Sequence, residues 1–456
     1  MKIAFLSINT EKLPDPVAPL GLYYIMGSIS DEHDKELWDI CFVEDYQKFL
    51  IHKIKSFSPD LIAISIRNIQ NNDYSNTATN LKFYHKVMKL IKSQTNCQIV
   101  LGGSGFSVIP DQLMNELKPS YGIVREGEFA FPQLVDAIES KKQCVEHISN
   151  LFYFNDQKLV FTGFASNFLD ISELMPEKKK HHASEYYNLT GIDSVQTKRG
   201  CPFHCSYCTY PQIEGKQYRT RNPVQVLKEM NTTLSDNPEV SHFFIVDSVF
   251  NHPINYAKNL CREMIAQSFD TDWTCYLSPF RLDAELVSLM SRAGCKGVEL
   301  GSDSGHNKVL RDLKKGFTVD DIVHASKLCR EFGISDCHTF VLGTSGETID
   351  DVKETLDFLC ELKPHSAILM VWSDDGLATS SLQPTNNLIF RHQILELLKL
   401  VCKDHSNWIV PEINVNFNPK MLNFLRRRGI RGPLWQQLDH SFWKKCSEEH
   451  QLLQIL

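Results

Sequence analysis

The sequence predicts an α/β protein built from two successive arrays of strands and helices, followed by a shorter α-rich stretch. Two observations predict this class and a third locates the chemistry. Short apolar runs alternate with segments of helical period over residues 1–160, and the alternation returns from Ser194 to Trp372. Runs that are apolar throughout suit strands buried on both faces, and helical crossovers between them make the sheets parallel. The third observation is the loop Gly200-Cys201-Pro202-Phe203-His204-Cys205-Ser206-Tyr207-Cys208, which follows the first strand of the second array.

A chain of 456 residues has room for two or three domains, at roughly 100–200 residues each. A hydrophobic content of 42% and a charged content of 23% are ordinary for a soluble globular protein. The net charge of −7 gives no support to a general nucleic-acid-binding role, so nucleic acid is not an expected partner. No apolar run approaches the roughly 20 residues of a membrane span, and no membrane partner is expected. Met1–Ile8 has too short an apolar core for a secretory signal and reads as a buried strand. Fourteen cysteines without such a signal fit a reducing, cytoplasmic setting. Eleven of them lie outside the loop, mostly in apolar runs such as Leu328-Cys329 and Leu359-Cys360, and read as packed thiols.

In the first array, Ile3–Ile8, Leu37–Val43, Leu61–Ile66, Gln98–Leu101 and Gly122–Val124 read as strands. Leu20–Ile29, Tyr46–Phe57, Thr79–Ser93 and Glu128–Glu139 read as the helices between and after them. A doubly wound sheet binds ligands at the carboxyl ends of its strands, at the switch point. The loops Pro14–Leu20, Arg67–Asn72, Gly102–Phe106 and Arg125–Glu128 are therefore expected to carry the site. Gly102-Gly103-Ser104-Gly105 would let backbone approach a ligand closely, though glycines also serve tight turns. No Gly-Lys-Ser/Thr follows them, which excludes a phosphate-binding loop. Arg67 follows the central strand; it either projects into the crevice or is a surface arginine.

Residues 161–189 lose periodicity and contain Lys178-Lys179-Lys180-His181-His182, a charge run that reads as a solvated linker. The second array then offers strands at Ser194–Thr197, Phe243–Val246, Trp273–Leu277, Gly297–Leu300, Ser335–Leu342 and Ala367–Trp372. Its helices are expected at Pro223–Leu234, Ile254–Gln267, Ala284–Arg292, Val319–Phe332 and Thr348–Leu362, with Pro223 and Gly333 as start and stop signals. From Ser373 the alternation stops. Asn387–Val401 reads as a helix and Ile409–Phe417 contains a short extended run. Trp408, Phe417, Trp435 and Trp443 read as core, and Arg426-Arg427-Arg428 with Arg431 as a solvated helix end.

Chemistry enters with the cysteines, spaced CxxxCxxC. A structural zinc site usually takes four ligands as two CxxC pairs, and no second pair lies near in sequence. A three-ligand zinc site, or thiols grouped by chance, is the bland alternative. Three thiolates on one short loop suit a cubic iron–sulfur cluster, in which three irons are held and the fourth is left open. An open iron is what reductive cleavage of S-adenosylmethionine (SAM) needs, because the amino-acid part of SAM chelates it. On these residues the chain resembles the radical SAM superfamily. With Val100-Leu101-Gly102-Gly103 and Arg125-Glu126-Gly127-Glu128 added, it resembles the branch that carries a cobalamin-binding domain ahead of the barrel, over about residues 1–372.

That resemblance implies a Rossmann-like cobalamin-binding domain over 1–160, a linker over 161–189, and a partial (β/α)6 TIM-like barrel over 190–372. A small α-rich C-terminal region, 373–456, would close over substrate. It implies a [4Fe–4S] cluster on Cys201, Cys205 and Cys208, with SAM and cobalamin as further cofactors. Tyr207 would lie beside the adenine. Around cobalamin it implies Arg67, Asn68, Gly102, Gly103, Ser104, Gly105, Glu126, Gly127 and Glu128, with Arg125 standing where the usual loop begins with glycine. The Asp-x-His-x-x-Gly signature is absent, so no histidine of this domain is expected on cobalt. A cation at Arg67, below the cobalt, resembles the tryptophan-methylating subgroup. Around SAM, functional residues are expected at the carboxyl ends of the barrel strands. There the resemblance implies Asp247, Ser278, Arg281, Asp303, Arg311 and Gly343, with Arg67 and Asp247 as the catalytic candidates. Ser248 replaces a second aspartate, Asp303 a glutamate, and Ser345 a proline. The activity implied is methylation of carbon, less often phosphorus, in a small molecule, amino acid or peptide, served by a one-electron reductant such as flavodoxin or ferredoxin. Non-methylating cyclisation, ring contraction or rearrangement is the alternative; a cobalamin or redox sensor is the reading from another class.

Overall fold

The computed structural model describes residues 1–12, 15–70, 80–140, 144–166, 170–178, 183–372, 388–410 and 419–437. They form two compact units. Among the described residues, the first takes the chain up to Ala183 and takes back Thr209–Arg219; the second takes Ser184–Cys208 and the chain from Thr220 onward.

In the first unit, strands β1 (Lys2–Ser7), β2 (Asp34–Asp39), β3 (Leu61–Ser65), β4 (Gln98–Gly102), β5 (Tyr121–Ile123), β6 (Leu151–Asn155) and β7 (Lys158–Phe161) form one sheet. Its order is β2-β1-β3-β4-β5-β6-β7. The first five strands are parallel and the last two add an antiparallel hairpin. Helices α1 (Leu20–Gly27), α2 (Tyr46–Phe57), α3 (Leu81–Gln94), α4 (Ser104–Val108), α5 (Pro110–Leu117) and α6 (Gly127–Glu139) complete it. The period of two explains why the strands are apolar throughout. Ala4, Leu6, Ile62 and Ile64 pack against α2, α3 and α5, whereas Ile3, Phe5, Leu61 and Ala63 pack against α1 and α6. Strand order reverses between β1 and β3, which makes that the switch point.

Three differences from the sequence reading have physical causes. Strand β2 lies earlier than Leu37–Val43 because its register is set by β1, with Lys2 opposite Asp34, and an edge strand tolerates polar residues. Asp156 and Gln157, at φ 45° and 64°, make the tight turn that closes the β6–β7 hairpin, so the sheet runs to Phe161. The described part of 161–189 is not a solvated linker. Ile171 is buried, the Glu177 amide donates to the Tyr23 carbonyl at 2.8 Å, and Lys35 pairs with the Glu177 carboxylate. Lys179–His182 lie outside the described residues.

The second unit opens with α7 (Ser184–Thr190), β8 (Ile192–Val195) and the short β9 (Lys198–Arg199). The excursion of the first unit contributes α8 (Tyr210–Ile213) and leads into β10 (Arg219–Thr220). Then follow α9 (Pro223–Asp236), β11 (His242–Ile245), α10 (Ile254–Ala266), β12 (Asp272–Leu277), α11 (Ala284–Arg292) and β13 (Cys295–Asp303). After these come α12 (Asn307–Asp312), α13 (Val319–Glu331), β14 (Ser335–Leu342), α14 (Ile349–Leu362), β15 (Ser366–Val371), α15 (Leu388–Val401), β16 (Trp408–Ile409) and α16 (Pro419–Arg427). The sheet order β8-β11-β12-β13-β14-β15-β16 is sequential and parallel, the arrangement of a partial barrel. Alternation divides its faces. Phe340, Leu342, Leu369 and Val371 pack on Val352, Leu356 and Leu359 of α14. The register places Phe244, Thr274, Tyr276, Gly297, Glu299, Cys337 and Ser366 together on the other, inner face.

The expected C-terminal cap is corrected for its described residues. Helix α15 packs on the barrel, and β16 pairs with β15, so residues 388–410 supply a seventh strand. Residues 430–437 close the amino-terminal end of the barrel. Gly432 donates to the carbonyl of Thr190, just before β8, and the Gln436 carbonyl meets His365 Nε2, just before β15. Arg426 is buried, donating to the carbonyls of Ile430 and Gly432 at 2.9 and 3.0 Å, and is no solvated helix end. Trp408 and Trp435 are core, as expected; Phe417 and Trp443 lie outside the described residues. No described helix is long and apolar enough to cross a membrane.

The glycines after β4 tie two strand ends together. Gly103 has φ 99°, and a Cβ there would stand 2.6 Å from the Ile66 carbonyl oxygen; one on Gly105 would stand 2.9 Å from that of Arg67. Gly103→Ala is therefore expected to destabilise the protein by about 1–3 kcal/mol, read as a lower midpoint in chemical denaturation.

Candidate active site

The approach to the cysteine loop is held from beneath by a buried carboxylate. Asp247, just beyond β11, is wholly buried and accepts from the amides of Thr197 and Lys198 at 2.7 and 3.1 Å. It also accepts from Thr197 Oγ1 at 2.5 Å and pairs with the equally buried Lys198 ammonium at 2.8 Å. The carbonyls of Thr197 and Arg221 both receive the Tyr256 hydroxyl at 2.9 Å, and Arg221 forms a buried pair with Glu229 at 2.6 Å. Buried charges are tolerable when partnered, and Asp247 and Lys198 partner each other. The Asp247 oxygens are thus committed to the strand leading into the loop.

The loop itself turns through Gly200, φ 88°, whose carbonyl receives Ser248 Oγ at 3.3 Å. Its second half closes on the Cys208 amide, which donates to the Cys205 carbonyl at 3.2 Å. Ser206 is anchored through its amide to the Leu313 carbonyl at 3.1 Å. Phe203 is flanked edge-on by His252 and Phe280, with ring centroids 5.4 and 5.7 Å away. Cys201 is buried, Cys205 and Cys208 are half-buried, and none of the three is in a disulfide.

Tyr207 and Asp303 meet each other and a third residue, Lys315. Asp303, at the end of β13 with φ 61°, accepts from the Tyr207 hydroxyl at 2.6 Å and pairs with Lys315 at 2.6 Å. Lys315 also donates to the Tyr207 hydroxyl at 3.2 Å. Burial pushes the Cys205 thiol up and the neighbouring Lys315 ammonium draws it back; burial likewise pushes Tyr207 well up. For Lys315 burial opposes the charge, and Asp303, Tyr207 and Cys205 override it, leaving the ammonium well above its usual range.

Other SAM-side candidates have structural partners or lie exposed. The Ser278 backbone exchanges two hydrogen bonds with buried Asn251. Arg281 is exposed, its guanidinium 5.0 Å from the Phe280 ring, and Arg311 is exposed on α12. Gly343, φ 85°, donates its amide to Glu347, whose carboxyl is pushed up to about 7 by burial. Sequence reading missed Lys198, Lys315 and Glu299. Glu299 sits on the inner face of β13 and accepts from the Trp435 indole N–H at 2.9 Å; burial pushes its carboxyl up to about 7. In the sequence nothing distinguishes Lys315 from the adjacent Lys314.

On the cobalamin side, Arg67 is exposed just beyond β3, with no ion pair among the described residues. Asn68 is half-buried, and its carbonyl receives the Tyr84 hydroxyl. Ser104 is exposed, its Oγ on the Arg67 carbonyl at 3.1 Å. Glu126 forms a two-pronged pair with Arg219, at 2.6 Å for both contacts. Arg125 has φ 62°, which explains the usual glycine there. Its Nε donates to the Gln212 carbonyl at 2.9 Å, over the Phe164 ring. Glu126 and Arg125 thus hold Thr209–Arg219 within the first unit. Gly127 packs under Ile25, where a Cβ would lie 2.8 Å from its Cδ1, and Glu128 is buried at the start of α6.

Replacing Asp247 by asparagine leaves Lys198 buried with its countercharge gone. The variant is expected to lose about 3–5 kcal/mol, measured by denaturation.

Residues 195–359 match the Radical SAM superfamily and residues 6–135 match the B12 binding domain. An uncharacterised methyltransferase of Pyrococcus horikoshii is 27% identical over 351 residues, covering 75% of this chain and 73% of the relative. The tryptophan 2-C-methyltransferase of Streptomyces laurentii is 25% identical over 421 residues, 78% of this chain and 70% of that one. In fold, the chain is similar to the radical SAM methyltransferase TsrM from Kitasatospora setae, solved with tryptophan and a SAM analogue. The TM-score is 0.84 at 23% identity, over 99% of both chains.

The two domains imply a [4Fe–4S] cluster, SAM and cobalamin as cofactors, and the residues present fit them. Cys201, Cys205 and Cys208 offer three thiols free of disulfides. No group of three His, Cys, Asp or Glu among the described residues is gathered tightly enough for a single metal ion. A cubic cluster takes its three thiolates on three different irons, so its ligands need not converge on one point. For the corrinoid, the ends of β3 and β4 beside the switch point present exposed Arg67 and Ser104. Anaerobically reconstituted protein is expected to hold about four irons, and a triple Cys→Ala variant to lose the iron–sulfur absorption, checked by iron assay and visible spectroscopy. From the cysteine loop, the parallel barrel around it and the two domain matches, this chain carries a domain of the radical SAM superfamily with a B12-binding domain ahead of it.

Proposed function

We propose that this protein is a cobalamin-dependent radical SAM methyltransferase acting on a carbon atom of a small molecule held against the inner face of its barrel. One observation carries the reading: a B12-binding domain and a radical SAM domain with its cluster loop stand in one chain, and relatives aligned over 75% and 78% of it are named as methyltransferases. When bound, the cluster with SAM supplies one-electron or methyl-donor chemistry, and the corrinoid supplies a methyl-carrying cobalt. The chain's own residues supply placement. Cys201, Cys205 and Cys208 hold the cluster. Arg67, exposed just beyond β3, would stand on the cobalamin side as a cation with no lone pair to offer the metal. A small reductase of the flavodoxin or ferredoxin kind supplies electrons, in the cytoplasm.

For the substrate we favour a small aromatic amino acid. The relative named for tryptophan supports this, as does the lining of the barrel. Phe244 and Tyr276 meet edge to face at 4.9 Å, and Glu299 lies opposite Tyr276 in the register. Trp435 fixes one oxygen of Glu299, leaving a carboxyl near neutrality to accept a hydrogen bond from a substrate N–H.

With methyl-deuterated SAM, cobalamin, reductant and L-tryptophan, the label is expected on cobalamin and then on a ring carbon, read by mass spectrometry. Loaded enzyme that never moves the label from SAM would refute methyl transfer. Arg67→Leu is expected to retain cobalamin and slow methyl transfer, while its cob(II)alamin gains an axial water signature by electron paramagnetic resonance. For Glu299 the sign is set by its raised value. The folded protein keeps a proton that the unfolded chain releases near 4.5, so stability falls as pH rises from there to about 7. Glu299→Gln keeps an acceptor for Trp435 and removes this penalty. Its Tm relative to wild type should rise between pH about 5 and about 8, and equal pH profiles would show that the carboxyl is not held in this way.

A further inference from the structure

Helix α12 ends in a reversed turn that delivers two things to the cysteine loop at once. The Lys314 amide donates to the Arg311 carbonyl at 2.9 Å and the Lys315 amide to that of Leu310 at 3.0 Å, with Lys314 at φ 57° and Gly316 at φ 75°. The left-handed residue turns the chain back, as at many helix ends. The same turn offers the Leu313 carbonyl to the Ser206 amide and sends the Lys315 side chain inward, where it is 9% exposed.

Around that ammonium stand Asp303 at 2.6 Å, the Tyr207 hydroxyl at 3.2 Å, the Tyr207 and Phe317 rings at 5.4 and 5.7 Å, and the Cys205 thiol. Asp303 is turned to meet it by its left-handed backbone, after a register shift between Gly301 and Asp303. When Cys205 ligates iron it does so as a thiolate, so one buried cation then faces two anions. A buried anion without a partner is costly, and a cation beside a cluster favours the electron that reduces it.

We infer that Lys315 is a positioning residue of the iron–sulfur cluster, the fixed countercharge that holds the Cys205 side of the loop and raises the cluster's reduction potential. The inference rests on the cluster assignment above, and on nothing about the substrate. Lys315 acts through Cys205 and Tyr207 and need not touch SAM or a methyl acceptor.

The test is a redox titration of the anaerobically reconstituted full chain, without SAM or substrate, followed by electron paramagnetic resonance of the reduced cluster. Lys315→Met is expected to shift the potential to more negative values, and Lys315→Arg to restore it towards wild type. Asp303→Asn, which keeps the lysine and removes the competing anion, should shift it the other way. That variant decides the matter if Lys315→Met does not fold. Loss of cluster from Lys315→Met at an unchanged potential in the fraction that retains it, or an Asp303→Asn potential equal to wild type, overturns the inference. Wild-type protein that reconstitutes no [4Fe–4S] signal overturns the cluster assignment and the inference with it.

Discussion

The structure depends on how a short run of thiols is kept open and in place. Cys201, Cys205 and Cys208 lie within eight residues, and a loop that short has no core of its own. Its support comes from buried charge on both sides. Asp247 and Lys198 fix the strand entering the loop, while Asp303 and Lys315 fix its Tyr207 end. Buried ion pairs are poor sources of net stability compared with apolar packing, but losing one partner is severe. They are therefore well suited to specifying position. The loop sits between two such pairs, and its geometry is set by groups that are expensive to separate.

The barrel shows how one strand serves two tasks. Along β13, Val298 and Leu300 are fully buried, while Gly297, Glu299 and Gly301 alternate with them on the inner face. The aliphatic residues bury area against helices and hold the sheet together. The small and polar ones leave room and place a carboxyl. Trp435 stands in van der Waals reach of Gly297, and its indole N–H reaches Glu299. Residues 430–437 thereby join the barrel interior from its amino-terminal end.

What was legible in the sequence followed strong local signals. Strands β1, β3 and β4 stand out because they are apolar on both faces. Helix α2 was bounded correctly because Asp45 caps it, accepting from the Lys48 amide at 3.0 Å, and its apolar residues recur at helical spacing. The cysteine spacing identified the cluster loop without help from the fold. The rest depended on contacts distant in the chain. Glu126 meets Arg219 and Asp247 meets Lys198 only once the chain has folded. The sequence favoured Arg311 over Lys315 as a cation near the site, yet the turn after α12 buries Lys315 and leaves Arg311 exposed. Helical period cannot foresee that, since the reversal at Lys314 breaks it.

Several loops that resemble ligand-binding motifs turn out to serve the backbone first. Gly103 and Gly105 make room for the Ile66 and Arg67 carbonyls. Arg125 occupies the left-handed conformation that the usual glycine would, and its guanidinium is held by Gln212. Glu347 accepts the Gly343 and Thr344 amides, closing the turn after β14. A motif that recurs across such folds can therefore do so because the strand end needs it, with the ligand met by neighbours whose side chains remain available. In the first unit Arg67 is exposed beside the switch point; in the barrel Glu299 stands opposite Tyr276 on the inner face. Chemistry on this scaffold is then best sought in side chains that the backbone does not consume, which shifts attention from the glycines and from Asp247 to Arg67, Glu299 and Lys315.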